Sequence, residues 1–579
     1  MTKLFSPGQI GGVDIRNRIV MPPMTTRFAD NEGRVTEATI AYFRARAAGG
    51  VGLITVEMAS PEKVGRHRSN ELGIYDDRFL SGLERLVQAL HVCGARASIQ
   101  LGHGGGHTRV DICCEAPIAP SAVPHFVYEV TGETIVPLEM SRTRIAQSMD
   151  AFVDAARRAW RAGFDMIELH AAHGYLISQF LCPAENRRTD EFGGSFENRA
   201  RFGLDILRRI KAELPDFPVV FRISADDLFS GGMPFEEGLQ LALWAEAAGA
   251  DAIHVTAGHY RSQPSAEIMI PPMAYSDGTF LDYAACIKDA VSVPVIAVGR
   301  LGDPKVAEDA LDEGKADFVA LGRPLLADPE WVAKAQHGRP IRRCLACNTC
   351  VNEMRSGRRL GCLVNPLVGH EAEPPGGRRP KGERICVVGS GPAGMSYAGL
   401  VADGNHVTVL ERDHRAGGAL RYAGKAPVFQ EVEASQSSLD RFIADLERDC
   451  RDKGVVFRYG VDVTKEPESL AGFDRIVFAT GARYRFGLSW AVRWFLNAGW
   501  GRSLLARLLF RSRAVRNWFY FHARIATGNC MSGLARPDQT VMIIGDAHRA
   551  GKSKEAIADA FKAVTAGPRS VRSKKGSTE

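Results

Sequence analysis

Eight short runs rich in β-branched and aliphatic residues recur along the first half of the chain. They are Arg18 to Met21, Val51 to Glu57, Ala97 to Leu101, Met166 to His170, Val219 to Ser224, Ala252 to Thr256, Val295 to Gly299 and Phe318 to Gly322. Helix-like stretches such as Thr36 to Ala48 and Asp150 to Ala162 lie between them. Strand–helix alternation eight times over predicts a closed parallel (β/α)8 TIM barrel, an α/β fold. Chemistry in such a barrel sits at the C-terminal ends of the strands. Here those ends carry Pro23-Met24-Thr25, Glu57, Gln100, His170, Arg222, Gly299-Arg300 and Gly322-Arg323. Gly–Arg pairs after strands seven and eight match the recurrent phosphate site of this fold. A phosphorylated cofactor is therefore expected in a mouth that also holds Arg222 and Gln100.

The chain has 579 residues, too many for one core, which implies about two to four domains. Its 45% hydrophobic and 24% charged content is ordinary for globular protein. Met1 to Asn17 shows no basic stretch followed by an apolar run, and no segment is apolar for long enough to span a bilayer, so a cytoplasmic location is expected. The 12 cysteines then meet a reducing compartment. Four of them, Cys344, Cys347, Cys350 and Cys362, follow the barrel as C-x2-C-x2-C plus one outlier. Three thiolates on one tight loop and a fourth from a short excursion suit a [4Fe–4S] cluster. Zinc is the competitor, although its sites more often use two separated C-x2-C knuckles.

The run Ile167-Glu168-Leu169-His170-Ala171-Ala172-His173-Gly174-Tyr175-Leu176 continues to Gln179-Phe180-Leu181 and to Asn186-Arg187-Arg188-Thr189-Asp190-Glu191-Phe192-Gly193-Gly194-Ser195. It resembles the signature of the old yellow enzyme family of FMN oxidoreductases. The resemblance implies FMN in the barrel mouth, contacted by Pro23, Met24, Thr25, Gln100, Arg222, Gly299, Arg300, Gly322 and Arg323, with Glu57 close by. It places Arg222 at the flavin edge where negative charge develops on reduction, and Thr25 where relatives tune the flavin by hydrogen bonding. By residue type, His170 and His173 can converge as donors on one carbonyl oxygen, and Tyr175 can protonate the α carbon.

After a linker rich in Pro, Gly and charge, Ile385-Cys386-Val387-Val388 leads into Gly389-Ser390-Gly391-Pro392-Ala393-Gly394 and a small-residue helix. Val407-Thr408-Val409-Leu410 then ends in Glu411-Arg412. This is a complete βαβ dinucleotide fingerprint, with glycines for the turn and an acid for the ribose. With Gly418, Ala479-Thr480-Gly481-Ala482 and Val541-Met542-Ile543-Ile544-Gly545-Asp546-Ala547, it resembles the split FAD domain of the pyridine nucleotide-disulfide reductases.

Barrel, cysteine loop and FAD-type domain in this order resemble the 2,4-dienoyl-CoA reductase and trimethylamine dehydrogenase family. That family implies FMN, [4Fe–4S] and FAD or ADP, with NAD(P)H as electron source in the reductases. The expected organisation is a barrel at 1–340, a cluster segment at 341–370, a linker at 371–383 and a nucleotide-binding part at 384–482. An insert follows at 483–536, and 537–579 returns to the nucleotide domain. The insert departs from the family. It stands where an NAD(P)H subdomain is expected, carries no glycine loop and no Asp or Glu, and holds Trp490, Trp494, Trp500 and Trp518 among many Arg. Three readings compete for it: a plug whose aromatics pack on the FAD domain, a docking site for an acidic redox partner or electron-transferring flavoprotein, and a membrane-surface helix.

The expected function is reduction of an activated C=C bond in an enone or enoyl thioester, with FMN N5 as hydride donor and Tyr175 as proton donor. The alternative reverses the flow as an N-demethylating amine dehydrogenase, with Glu267 neutralising the amine. Thr25 and Thr26 stand where the amine dehydrogenases bond FMN to a cysteine, which counts against it. A third reading leaves the C-terminal half as a docking module and the barrel turning over alone. Nucleic acid is not an expected partner, and self-association is left open.

Overall fold

The computed structural model describes residues 2–126, 134–373, 381–426, 434–485 and 489–565. The centre of the expected linker and the end of the C-terminal tail lie outside these residues. The chain divides into two compact units, Met1–Ala372 and Glu373–Glu579.

In the first unit, strands β1 (Ile19–Met21), β2 (Leu53–Ser60), β3 (Arg96–Leu101), β4 (Met166–Ala171), β5 (Val219–Ser224), β6 (Ala252–Thr256), β7 (Val295–Val298) and β8 (Phe318–Ala320) pair in parallel, neighbour to neighbour. Pairing of β8 with β1 and of β1 with β2 closes the circle. All eight expected strands are present, their ends shifted by no more than three residues. Helices α1 (Glu37–Ala48), α2 (Leu80–His91), α3 (Arg142–Arg161), α4 (Phe196–Glu213), α5 (Phe235–Ala247), α6 (Leu281–Ala290), α7 (Pro304–Asp312) and α8 (Arg323–Ala327) alternate with them. Parallel strands buried on both faces read as nearly continuous apolar runs, which is why they were visible in the sequence.

An antiparallel hairpin, Gly8–Ile10 with Val13–Ile15, supplies Ile10 and Ile15 to a cluster with Val20, Leu53, Met166, Val220, Ile296 and Phe318. The six barrel residues are each the first or second of their strand, so the hairpin fills the floor of the barrel. Each fully buried isoleucine there contributes roughly 1.5–3 kcal/mol. With the floor filled, ligands can enter only at the opposite, C-terminal rim. There β2 carries a register shift between Val56 and Ala59 against β3, a bulge of the kind that re-aims side chains at a rim.

Part of the signature run is structural. Ser195 caps α4 by accepting the N–H of Asn198. Asn186 Nδ2 donates to the carbonyls of Phe180 and Phe192, and Arg188 Nη1 donates to those of Pro120 and Met140. These bonds pin the long excursion between β4 and α4.

In the second unit, β9 (Arg384–Val388), β10 (His406–Glu411), β11 (Val456–Tyr459), β12 (Arg475–Phe478) and β13 (Thr540–Ile543) form a parallel sheet in the order β11-β10-β9-β12-β13. That is the strand order of a doubly wound nucleotide-binding half. Helices Pro392–Val401, Gln436–Asp452 and Ser553–Thr565 accompany the sheet. The segment between β12 and β13 leaves and returns through a short antiparallel pair, Ala482–Tyr484 with Arg524–Ala526. Its four Trp are exposed, so they do not pack as the aromatics of a plug would.

Candidate active site

Because strand side chains alternate, Glu168 and His170 of β4 face the same side, as do His254 and Thr256 of β6. Glu168 is buried inside the barrel and gathers three partners from neighbouring strands. Gln100 Nε2 donates to Oε1 at 2.8 Å, His254 Nδ1 contacts Oε2 at 2.8 Å, and Arg222 Nη1 lies 3.6 Å from Oε1. Burial raises the carboxyl pKa, but the charges and hydrogen bonds of His254, Arg222 and Gln100 outweigh it and hold the group ionised. Arg222 Nε is buried with no hydrogen-bond partner among the described residues. An orphaned guanidinium nitrogen at a barrel rim suits an electron-rich ring edge above it, so the residues present fit an anionic cofactor.

Above this layer the predicted triad comes together. The rings of His170 and His173 are 5.2 Å apart and those of His170 and Tyr175 4.8 Å apart. His173 adopts a left-handed backbone, φ 68°, which a non-glycine residue holds only when its surroundings fix it. Its N–H donates to Ser224 Oγ at 3.1 Å, and its Nε2 lies 3.2 Å from Thr256 Oγ1. Burial, then the Arg222 charge, keeps both imidazoles well below the usual histidine range, so they are neutral. His170 Nδ1 is buried without a hydrogen-bond partner among the described residues. Burial pushes the Tyr175 phenol far above its ordinary value, so it keeps its proton at neutral pH.

Four loop residues belong to the site that no sequence signal marked. Tyr175 Oη lies 3.3 Å from His67 Nε2, and His67 Nδ1 lies 3.1 Å from Glu71, giving a carboxylate–imidazole–phenol chain. Arg68 Nη1 donates to Thr25 Oγ1 at 3.0 Å and Nη2 contacts Tyr260 Oη at 3.5 Å. Burial would raise the Tyr260 phenol, but Arg68 and Arg355 bring it below its ordinary value. His67 and Arg68 lie after β2 and Tyr260 after β6, in loops whose spacing repeats nothing. Glu168 and His254 could have been found from period-two alternation with His170 and Thr256.

Other expected positions are occupied differently. Glu57 receives both the N–H and the hydroxyl of Thr26, and burial raises its pKa to about 7. Arg300 pairs with Asp277 at 2.7 Å and donates to the Ser276 carbonyl, and Arg323 donates to Asn348 Oδ1 at 2.6 Å. Pro23 and Met24 line the first rim loop, and a Cβ on Gly322 would sit 2.9 Å from Met24 Sδ. Glu267 is exposed on helix Gln263–Ile268, whose buried side presents Ser265 and Ala266. It is not brought to the mouth, because the helix turns it to solvent.

Cys344, Cys347, Cys350 and Cys362 line one hollow of ≈ 280 Å³, solvent included, together with Arg323 and Asn348. Ala346 and Asn348 are left-handed at φ 48° and 53°, and so tighten the loop that carries the first three cysteines. Burial and neighbouring sulfurs push the Cys344, Cys350 and Cys362 thiols up, Cys362 to about 12. Four sulfurs lining one hollow fit a cationic centre that would stabilise them as thiolates.

In the second unit Gly389 is left-handed at φ 108°, and a Cβ on it would meet the Ala479 carbonyl at 2.6 Å. A Cβ on Gly394 would meet the Gly389 carbonyl at 2.0 Å, whereas Gly391 faces open space. Turn, close packing and ligand approach are thus divided among the three glycines in the manner of a pyrophosphate loop. Ala393 lies behind them, near Gly545, and Gly418 approaches Gly391. Glu411 Oε2 receives the N–H and hydroxyl of Ser390, which ties it to the loop, and Arg412 is exposed beside it. Thr480 and Gly481 are tied to Thr527, while Asp546 is paired with Arg524 at 3.0 Å.

A floor-sealed parallel barrel whose rim presents a buried arginine and two neutral histidines beside a protonated tyrosine defines a flavin-dependent oxidoreductase. The chain belongs to the NADH:flavin oxidoreductase / NADH oxidase family, which it matches over residues 3–342; residues 387–427 match the NAD(P)-binding Rossmann-like domain. It is 41% identical over 488 residues to an NADH oxidase of Thermoanaerobacter brockii, covering 83% of this chain and 73% of that one. It is 33% identical over 509 residues to a cinnamate reductase of Clostridium sporogenes, covering 83% and 74%. Among solved structures it is similar to a 2-naphthoyl-CoA reductase in complex with 2-naphthoyl-CoA, with TM-score 0.84, 25% identity and coverage of 97% and 98%. No helix among the described residues is long and apolar enough to cross a membrane.

Proposed function

We propose that the barrel reduces a C=C bond conjugated to a carbonyl. The observation that carries this reading is the convergence of neutral His170 and His173 with protonated Tyr175 at one rim. FMN, when bound, supplies the hydride. Pro23, Met24, Thr25, Gln100, Arg222, Gly299, Arg300, Gly322 and Arg323 would hold it, with Glu57 fixing the first rim loop through Thr26. His170 and His173 bind the substrate oxygen by N–H donation and stabilise the negative charge that gathers there. A Thr256 hydroxyl that donates to His173 Nε2 would keep the proton of that ring on Nδ1. Tyr175 delivers its proton to the α carbon and is reprotonated from solvent through His67, whose ring the Glu71 carboxylate orients. Reductase names among the relatives fit this direction, and the outward-facing Glu267 weakens the amine reading.

Tyr175→Phe is expected to slow enone turnover by about 10²-fold or more while NADH still bleaches the flavin at the normal rate. Separate stopped-flow measurements of the two half-reactions check this, and unchanged enone turnover would move the proton donor to Tyr260.

The four cysteines are assigned to a [4Fe–4S] cluster, with the second unit binding FAD or ADP through Gly389, Gly391, Ala393, Gly394 and Glu411. Gly418, Thr480, Gly481, Gly545, Asp546 and Arg412 would complete that site. A one-electron cluster suits a chain that must connect two nucleotide sites. Cys350→Ser is expected to lower bound iron from about four per chain to less than one, read by iron and acid-labile sulfide assay. Zinc in place of iron in the anaerobically purified protein would refute the assignment.

A further inference from the structure

Segment 475–536 contains 11 arginines and no Asp or Glu. Two of its helices present apolar faces to solvent. On Ser489–Asn497, Trp490 and Trp494 stand one turn apart at 74% and 62% exposure. On Leu504–Leu509, Leu504, Leu505, Leu508 and Leu509 form a single stripe at 59–80% exposure, while Ala506 on the other side is buried against the protein. The leucine face therefore points away from the unit that carries it. Six large apolar side chains this exposed on two short helices call for a covering partner.

We propose that this face seats the protein on an anionic lipid bilayer. Indole rings and leucines favour the boundary between headgroups and acyl chains, and arginines favour lipid phosphates. The segment contributes no carboxylate that would repel those phosphates, so its charge complements an anionic leaflet. Helices of 9 and 6 residues cannot span a bilayer, so they lie in its surface. Arg475, Arg493 and Arg524 pair with Glu383, Asp413 and Asp546 from outside the segment, which anchors the platform to the nucleotide-binding unit. A redox partner docking by charge alone would meet arginines without needing the leucine stripe. This inference is independent of the chemistry assigned to the barrel.

The test is co-sedimentation of the full-length, flavin-loaded enzyme with phosphatidylcholine vesicles, with and without phosphatidylglycerol. Partitioning is expected to rise about tenfold with the anionic lipid and to fall with added salt, accompanied by a blue shift of tryptophan emission. Replacing Leu504, Leu505, Leu508 and Leu509 together with Ser should lower partitioning about tenfold while flavin content and turnover stay unchanged, since all four side chains are exposed. Failure to bind either vesicle, or equal binding by the serine variant, overturns the proposal. So does a serine variant whose only change is a smaller assembly in light scattering, which would give the face to a second copy of the chain.

Discussion

Replacing His170 and His173 together with Ala is expected to lower kcat/KM for a conjugated enone by about 10²–10⁴-fold, with FMN still bound. Both rings are buried and neutral, so as donors they stabilise developing negative charge without having to lose a charge of their own first. A buried donor that strengthens only as charge develops acts on the transition state more than on the bound ketone. The loss should therefore appear mainly in kcat, with a smaller loss of enone affinity. Since the proposed reading has both rings address one oxygen, the two single variants should sum to more than the double. Steady-state rates per bound flavin check this, and a double variant with full enone affinity and turnover would refute the oxygen-binding role.

Glu168→Ala should destabilise the barrel by about 3–5 kcal/mol, because removing one partner of a buried pair leaves the other charge uncompensated. Arg222 would lose its ion pair inside the barrel, and Gln100 and His254 would each lose a hydrogen bond of 2.8 Å. Glu168→Gln keeps the volume and a carbonyl acceptor, so it should cost less. Denaturant unfolding followed by far-UV circular dichroism separates the two variants. A loss below about 1 kcal/mol for the alanine variant would mean that water replaces the carboxylate, contrary to its burial.

Much of this molecule was legible because periodicity and spacing are local. Eight buried strands announce themselves as apolar runs, and Cys344, Cys347, Cys350 and Cys362 are recognisable by their intervals. The catalytic rim was legible only where a motif keeps its members adjacent, as with His170, His173 and Tyr175. Arg68 and Tyr260, 192 residues apart, meet through barrel closure, which no window of sequence contains. The Glu168 network was hidden for a related reason, since its partners come from three other strands. Position alone marks Arg300 and Arg323 as phosphate ligands, but the partners that hold their side chains, Asp277 and Asn348, are not legible from it. The exposed face of the insert could not be read either, because apolar residues at helical spacing look the same whether covered or bare.

The strand pair Ala482–Tyr484 with Arg524–Ala526 brings residues 482 and 526 of the chain to one point, about 5 Å apart. Whatever hangs beyond that clasp can be lengthened, exchanged or deleted without altering the path of the sheet that carries it. The clasp is thus a natural grafting point. A single nucleotide-binding scaffold could acquire a new cellular address there while its catalytic barrel stayed the same.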